Sequence, residues 1–494
     1  MNRPNLSRGL LALALSAVLA GCAVGPDYQR PALKVPASFK EGDGWRLAQP
    51  ADLAGHGQWW KLYGDPLLDD LQQRLVKANQ TLAQSEASYR QAAALTKGAR
   101  AAFFPTVSGN LDKTRSGQGG SSSSVRLADG STVSSGSSAG ISNSYTASLG
   151  VSWELDLWGK LRRQLESDTA SMDASAADLA ASRLSLQSQL AQDYLQLRVM
   201  DQQIKLLNDT VEAYRRALKL TENQYNAGIV TKADVAQART QLKSTEAQAI
   251  DLKYQRAQLE HAIAVLVGEA PAQFSLAANG QVPALPAIPA LVPSQLLERR
   301  PDVASAERKV IAANAQIGVA KAAWFPDLTL SATGGYRSGS FRNWIETPNR
   351  YWSIGPQFAM TLFDGGLIAS QVEQAEASYD QTVASYRQTV LDGFREVEDY
   401  MVQLRVQEEE SGVQKEALEA AREALRLTFN QYKAGTVDYN NVVTTQATAL
   451  SNERNVLTLY GNRLTASVQL IAAMGGGWDS AQIASAGKAA APAP

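Results

Sequence analysis

The sequence predicts a mixed α+β membrane protein with an internal two-fold repeat, in which strand pairs alternate with very long helices. Three observations predict it. Glu86, Phe104 and Pro105 align with Glu307, Phe325 and Pro326, and Asn223-Gln224-Tyr225-x-Ala227-Gly228 aligns with Asn430-Gln431-Tyr432-x-Ala434-Gly435. Tyr145, Ala147, Leu149, Val151, Trp153, Leu155 and Leu157 alternate with polar or small residues, the period of a strand with one apolar face. Residues 158–226 and 365–433 contain no proline, and Leu190, Leu197, Ile204, Val211, Leu218 and Tyr225 recur at heptad steps.

The chain has 494 residues, with 47 basic and 48 acidic side chains and a net charge of -1, which removes the electrostatic footprint of a nucleic-acid binder. A single cysteine excludes intrachain disulfides, and with only His56 and His261 no metal site or cofactor is expected. Residues 1–21 carry Arg3 and Arg8 and then an apolar run from Leu10 to Ala20, the layout of a signal peptide. Beyond it no apolar run reaches the ~18 residues of a membrane helix. A membrane crossing therefore has to be made by strands.

Residues 22–65 are expected to form the N-terminal segment. The first repeat, 66–269, reads as a helix near 66–102, a strand at 104–115, a Ser/Gly-rich loop at 115–140, a strand at 143–157, the long helix 158–226 and a returning helix 231–267. A Pro-rich linker follows at 270–293. The second repeat, 294–475, reads as a helix, strands at 326–338 and 350–363, the long helix 365–433 and a helix at 437–474, followed by a tail at 476–494. At 1.5 Å per residue each long helix reaches roughly 100 Å. Four strands cannot close a transmembrane barrel, whose minimum is about eight, so closure demands several chains.

Enzymatic readings are weak. Gly136-Ser137-Ser138-Ala139-Gly140 has the form of a hydrolase elbow but lies in the Ser/Gly-rich loop, not at a strand-to-helix turn. Glu154 and Asp156 stand two apart on the polar face of one strand, where a solvated wall accounts for them.

Several motifs stand in order along the duplicated chain. They are Leu19-Ala20-Gly21-Cys22, Cys22-Ala-Val-Gly-Pro-Asp-Tyr28, Trp59-Trp60 with Asp65-Pro66, Ser152-Trp-Glu-Leu-Asp-Leu-Trp-Gly159, Leu297-Glu-Arg-Arg-Pro-Asp302, Gln316-Ile-Gly-Val-Ala320, Phe363-Asp-Gly-Gly366 and Gly475-Gly-Gly-Trp478. Together they resemble the TolC-like outer-membrane factors, in the efflux lipoprotein branch also called the nodulation-protein-T family. The resemblance implies lipidation of Cys22 and a homotrimer that pools twelve strands into one barrel above a helical periplasmic tunnel. It also implies a bacterial outer-membrane location in contact with lipid, and partnership with a periplasmic adaptor and an inner-membrane transporter. The implied role is passive conduction in tripartite efflux; a type I secretion duct and a coiled-coil spacer lipoprotein are the alternatives.

Gly228 and Gly435 end the long helices, so the resemblance puts these turns at the tunnel's periplasmic tip. Gate candidates there are Asp234, Asp438, Asn440, Asn441 and Thr444, with packing by Tyr225 and Tyr432. Asn441 and Thr444 stand where the family commonly has Thr or Asp and Asp respectively, so these two positions contribute no carboxylate to an aspartate ring. The simpler reading of Asp234 and Asp438 is that they interact with helix N-termini.

Overall fold

The computed structural model describes residues 23–42, 58–119, 121–137, 140–288 and 299–478. The signal segment, Cys22 and most of the C-terminal tail lie outside the described residues. The chain divides into two compact units.

The first unit contains residues 23–29, 92–172 and 310–382. Its sheet is built from β1 (Thr106–Gln118), β4 (Gly140–Leu155), β5 (Asp327–Ser338) and β6 (Arg350–Ala359), antiparallel throughout in the order β1-β4-β5-β6. The register places Val107, Val151, Ala332 and Ile354 in one row, and Leu111, Ala147, Tyr336 and Arg350 in another. Because partners across a ladder share a face, these rows assemble the apolar alternation of all four strands on one side. Leu111, Leu149, Trp352, Ile354 and Phe358 on that side are exposed within the chain.

The expected loop at 115–140 is corrected. β1 continues to Gln118, β4 begins at Gly140, and between them β2 (Ser121–Arg126) pairs with β3 (Thr132–Ser137) as a separate hairpin. Asp129-Gly130 makes the turn: the Asp129 carboxylate accepts from the Ser131 amide and hydroxyl, and Gly130 takes φ 86°. An Asp-Gly pair set among residues able to extend favours hairpin pairing over open loop. At the other end of the sheet, β6 stops at Ala359, before the expected 363.

Each strand pair hands its chain to a helix through an aspartate. Asp156 accepts the amides of Leu161 and Arg162 at the start of α3 (Lys160–Asn226), and Asp364 accepts those of Gly366 and Ile368 ahead of α6 (Leu367–Lys433). The amides of Ile368 and Gly366 hold the Asp364 carboxyl below its usual range. Glu154 pairs with Lys160 at 3.1 Å, so the Glu154/Asp156 couple serves the strand-to-helix junction. Residues 23–27 lie as a strap against this junction and α5 (Pro301–Ala322). Val24 N–H donates to the Trp158 carbonyl at 2.9 Å, Asn314 Nδ2 donates to the Pro26 carbonyl, and buried Arg163 reaches the Val24 carbonyl and the Asp27 carboxylate.

The second unit contains residues 30–42, 58–91, 173–288, 299–309 and 383–478. It holds α1 (Pro66–Ala78), the start of α2 (Gln80–Ala101), α4 (Lys232–Leu266), α7 (Tyr439–Ala473) and the distal parts of α3 and α6. Its largest core joins Trp59, Trp60 and Tyr63 to Leu68, Leu71 and Leu75 of α1, Leu190, Tyr194 and Leu197 of α3, Ile263 of α4 and Leu464 and Val468 of α7. The heptad row is buried at Leu190, Leu197 and Val211, and in the second repeat at Val397, Leu404, Ser411 and Leu418.

The expected single helix over 66–102 is corrected to two. Asn79 leaves helical geometry at ψ 125°, its side-chain oxygen caps the Leu82 amide, and its Nδ2 donates to the Leu266 carbonyl at the end of α4. One asparagine thus starts α2 and satisfies a carbonyl at the end of a neighbour, which a continuous helix could not do. Gly268 permits the approach, since a Cβ there would lie 2.3 Å from the Ala78 carbonyl oxygen.

A buried charge network pins the segment after α4. Asp201 bridges Arg198 at 3.0 Å and Arg256 at 2.6 Å and accepts the Asn279 amide, while the two guanidiniums donate to the carbonyls of Ala277 and Leu276. Burial opposes the Arg256 charge, but the bonds to Asp201 and Glu260 outweigh it and hold its pKa up.

Asp193, 9% exposed on α3, is pushed up to about 6 by burial, against the opposing hydrogen bond from Gln189 Nε2. With the folded value above the ordinary 3.8, the native state keeps this proton where the unfolded chain has lost it. Stability from this group is therefore lost as pH rises from about 4 through about 6. Asp193→Asn is expected to stabilise by about 1–2 kcal/mol at pH 7.5 and by little at pH 4. Thermal melts at the two pH values check it, and an equal gain at both refutes the titration.

Candidate gate at the helix-turn tips

The tips are built by two equivalent turns. Gly228 and Gly435 each take φ 76°. Their amides donate to the carbonyls of Tyr225 and Tyr432, and the next amides, of Ile229 and Thr436, donate to Gln224 and Gln431. This paired pattern is the Schellman motif, which needs a left-handed residue at the glycine position.

The two repeats then diverge. Thr231 caps α4, and Asp234 closes a capping box: its carboxylate accepts from the Thr231 amide at 2.9 Å and hydroxyl at 2.8 Å, while its own amide donates to the Thr231 oxygen. Asp438 stands at the N-cap of α7 with no side-chain cap bond and is exposed. Both aspartates sit at helix N-termini, where the dipole favours them, but only Asp234 is engaged.

Tyr432 and Tyr439 bring the tips together. Their rings meet edge to face at 5.3 Å, packed with Ala238 and Val442, and the Tyr432 hydroxyl donates to Gln224 Oε1 at 2.6 Å. Burial, then the neighbouring phenols and Asp234, push the Tyr439 phenol up to about 12, so it stays neutral at physiological pH. Tyr225, by contrast, is 43% exposed and does not join this cluster. The Asn440 side-chain oxygen accepts from Gln237 across the two repeats at 3.2 Å. Asn441 is exposed, and the Thr444 hydroxyl turns back to the Asn440 carbonyl.

Tyr439, Gln224 and Gln237 were not among the sequence candidates. A signal for Tyr439 existed, because Tyr439, Val442, Gln446 and Ala449 follow each other at steps of three and four along the buried face of α7. The cross-repeat partners of Gln224 and Gln237 left none.

The sequence profile described as outer membrane efflux protein matches residues 71–269 and 292–476. The chain belongs to this family. The probable efflux pump outer membrane protein TtgC of Pseudomonas putida is 30% identical over 484 residues, covering 96% of both chains. The pyoverdine export outer membrane protein OpmQ of Pseudomonas aeruginosa is 30% identical over 485 residues, covering 97% of this chain and 98% of its own. Among solved structures, the outer-membrane channel OprN aligns with a TM-score of 0.83 at 29% identity, over 92% of this chain and all of that one. This efflux protein is therefore an outer-membrane component of an efflux system, a transporter-type channel whose relatives span the periplasm.

Proposed function

We propose that three copies of this chain close their four-stranded sheets into one twelve-stranded barrel, continued by a helical duct that passively carries what a pump and adaptor deliver. The supporting observation is the open sheet: β1 and β6 are its edges, and its apolar face is exposed. Unpaired strand edges are untenable in lipid, and four strands are too few to close alone. Cys22 carries the lipid, directly ahead of the strap that Trp158, Asn314 and Arg163 hold. Native mass spectrometry of detergent-extracted protein is expected to show three chains, each heavier by the acyl groups on Cys22. A monomer with undiminished β and helical circular dichroism, or an unmodified Cys22, would overturn this.

The cargo passes the tips, where the trimer gathers three copies of Asp438 around the axis. Of the two aspartates Asp438 is the one free to meet ions, since Asp234 is spent on its capping box. The Gln237–Asn440 and Tyr432–Gln224 hydrogen bonds join the turns of the two repeats. In planar bilayers the wild type is expected to prefer cations, and Asp438→Asn to lower that preference several-fold. Asp234→Asn should do little to selectivity. Unchanged preference in Asp438→Asn shows that this carboxylate does not line the pore. The exported compounds of relatives, toluene, antibiotics and pyoverdine in their names, make small organic molecules the expected cargo class.

A further inference from the structure

The apolar face of the sheet has an uneven charge distribution along the strands. No carboxylate lies on it: Asp112, Glu154 and Asp327 all fall, by register, on the opposite face. At the end away from the helices, however, the same face carries Lys113 and Arg115 on β1 and Arg350 on β6. Lys113 is level with Tyr145, and Arg350 with Tyr336. All three cations are exposed, and none forms an ion pair with a described residue. Near the helix end of the unit four cations are engaged, Lys160 with Glu154, Arg162 with Asp156, Arg163 with Asp27 and Lys321 with Glu376, while Lys97 and Arg100 at the end of α2 are exposed. What sets the outer row apart is its place on an apolar face that carries no carboxylate to neutralise it.

The height of the row identifies what faces it. From Leu155 to Tyr145, at about 3.4 Å per residue and the ~40° tilt of such barrels, the face rises roughly 25 Å, the height of the lipid-facing apolar band. Lys113, Arg115 and Arg350 therefore stand at the level where the acyl chains end and the headgroups begin. Tyr145 anchors the same level. It packs against Phe341 at 5.5 Å and Trp344 at 6.1 Å from the β5–β6 connection, and the Lys113 ammonium lies 5.6 Å from its ring centre. Aromatic rings beside long cationic side chains suit an interface with an anionic headgroup layer.

We infer that Lys113, Arg115 and Arg350 form a binding rim for the phosphate groups of outer-leaflet lipids. The inference rests on the reading that this face meets the bilayer. Arginine offers planar, bidentate donors to a phosphate and lysine a compact charge, so the rim would hold the headgroups against the barrel wall.

Detergent-solubilised full-length protein is titrated with bisphosphorylated lipid A, with its dephosphorylated form, and with inorganic phosphate as competitor. The wild type is expected to bind the phosphorylated lipid in preference. The triple variant Lys113→Gln, Arg115→Gln, Arg350→Gln should bind it at least about tenfold more weakly. Lys113→Arg with Arg350→Lys should retain wild-type affinity, and Arg337→Gln, on the opposite face, should change nothing. Equal affinity of the triple variant, equal binding of the dephosphorylated lipid, or displacement by inorganic phosphate each overturns the rim. Channel conductance in neutral phosphatidylcholine bilayers is recorded alongside. Conducting wild type and variant with unaltered lipid affinity defeat the rim alone, whereas a wild type that forms no channel defeats the barrel reading beneath it.

Discussion

Asp201→Ala is expected to destabilise the second unit by about 3–5 kcal/mol, because it leaves the buried Arg198 without a carboxylate and takes one of two from Arg256. Arg198 and Asp201 are each 2% exposed in their side chains, so water cannot replace the lost carboxylate at Arg198. Arg198 would keep the Tyr194 hydroxyl and the Ala277 carbonyl, and Arg256 would keep Glu260 and the Leu276 carbonyl. The Asn279 amide would lose its acceptor, so residues 274–279 should loosen first. Helical circular dichroism melts report the cost, and hydrogen exchange at residues 274–279 reports its place. A melting temperature within error of wild type would falsify the claim that this carboxylate holds the network. The double variant Asp201→Leu with Arg198→Met should recover part of the loss, since removing both members of a buried pair costs less than breaking it.

Gly318→Leu should release the N-terminal strap. A Cβ at Gly318 would lie 2.8 Å from both the Val24 carbonyl oxygen and the Arg163 Cγ, and Gly25 on the strap, at φ 102°, is packed directly on Gly318. Backbone lies on one side of the added atoms and a buried arginine on the other, so neither can yield cheaply. Overpacking typically costs about 1–3 kcal/mol, and here the Val24–Trp158 and Asn314–Pro26 bonds are lost as well, which puts the expected cost at about 3 kcal/mol. Limited proteolysis read by intact mass should show cleavage within residues 23–42 far sooner than in wild type. Gly98→Ala is the control: nothing lies within 4 Å of its added Cβ, and a helix-interior alanine should stabilise by up to about 1 kcal/mol. Equal protease resistance in Gly318→Leu and wild type would refute the packing argument.

Both experiments probe contacts joining residues far apart in the chain, and that separates what was legible from what was not. Helix-rich character with one four-stranded sheet was legible, because the period-two alternation around Tyr145–Leu157 and the heptad row from Leu190 are local records of which face is buried. The glycines that end the two long helices were legible for the same kind of reason: a helix that must end and return needs a left-handed residue, and only glycine takes it without cost. The hairpin inside 121–137 was missed because serine and glycine read as loop, although Asp129-Gly130 carried the turn signal. The break at Asn79 had no comparable sign, since it depends on the Leu266 carbonyl of another helix.

At the candidate gate, residue types alone made Asp234 and Asp438 equivalent. Only the tertiary structure separated them, by engaging Asp234 with Thr231 and leaving Asp438 free, and it alone placed Tyr432 on Tyr439 while leaving Tyr225 outside. Sequence by itself thus determined the periodic elements and the helix-ending turns, both of which are governed by neighbours within a few residues. The tertiary structure decided the strap on Gly318, the Asp201 network and the contacts around the two turns, because each depends on partners brought together only when distant segments pack.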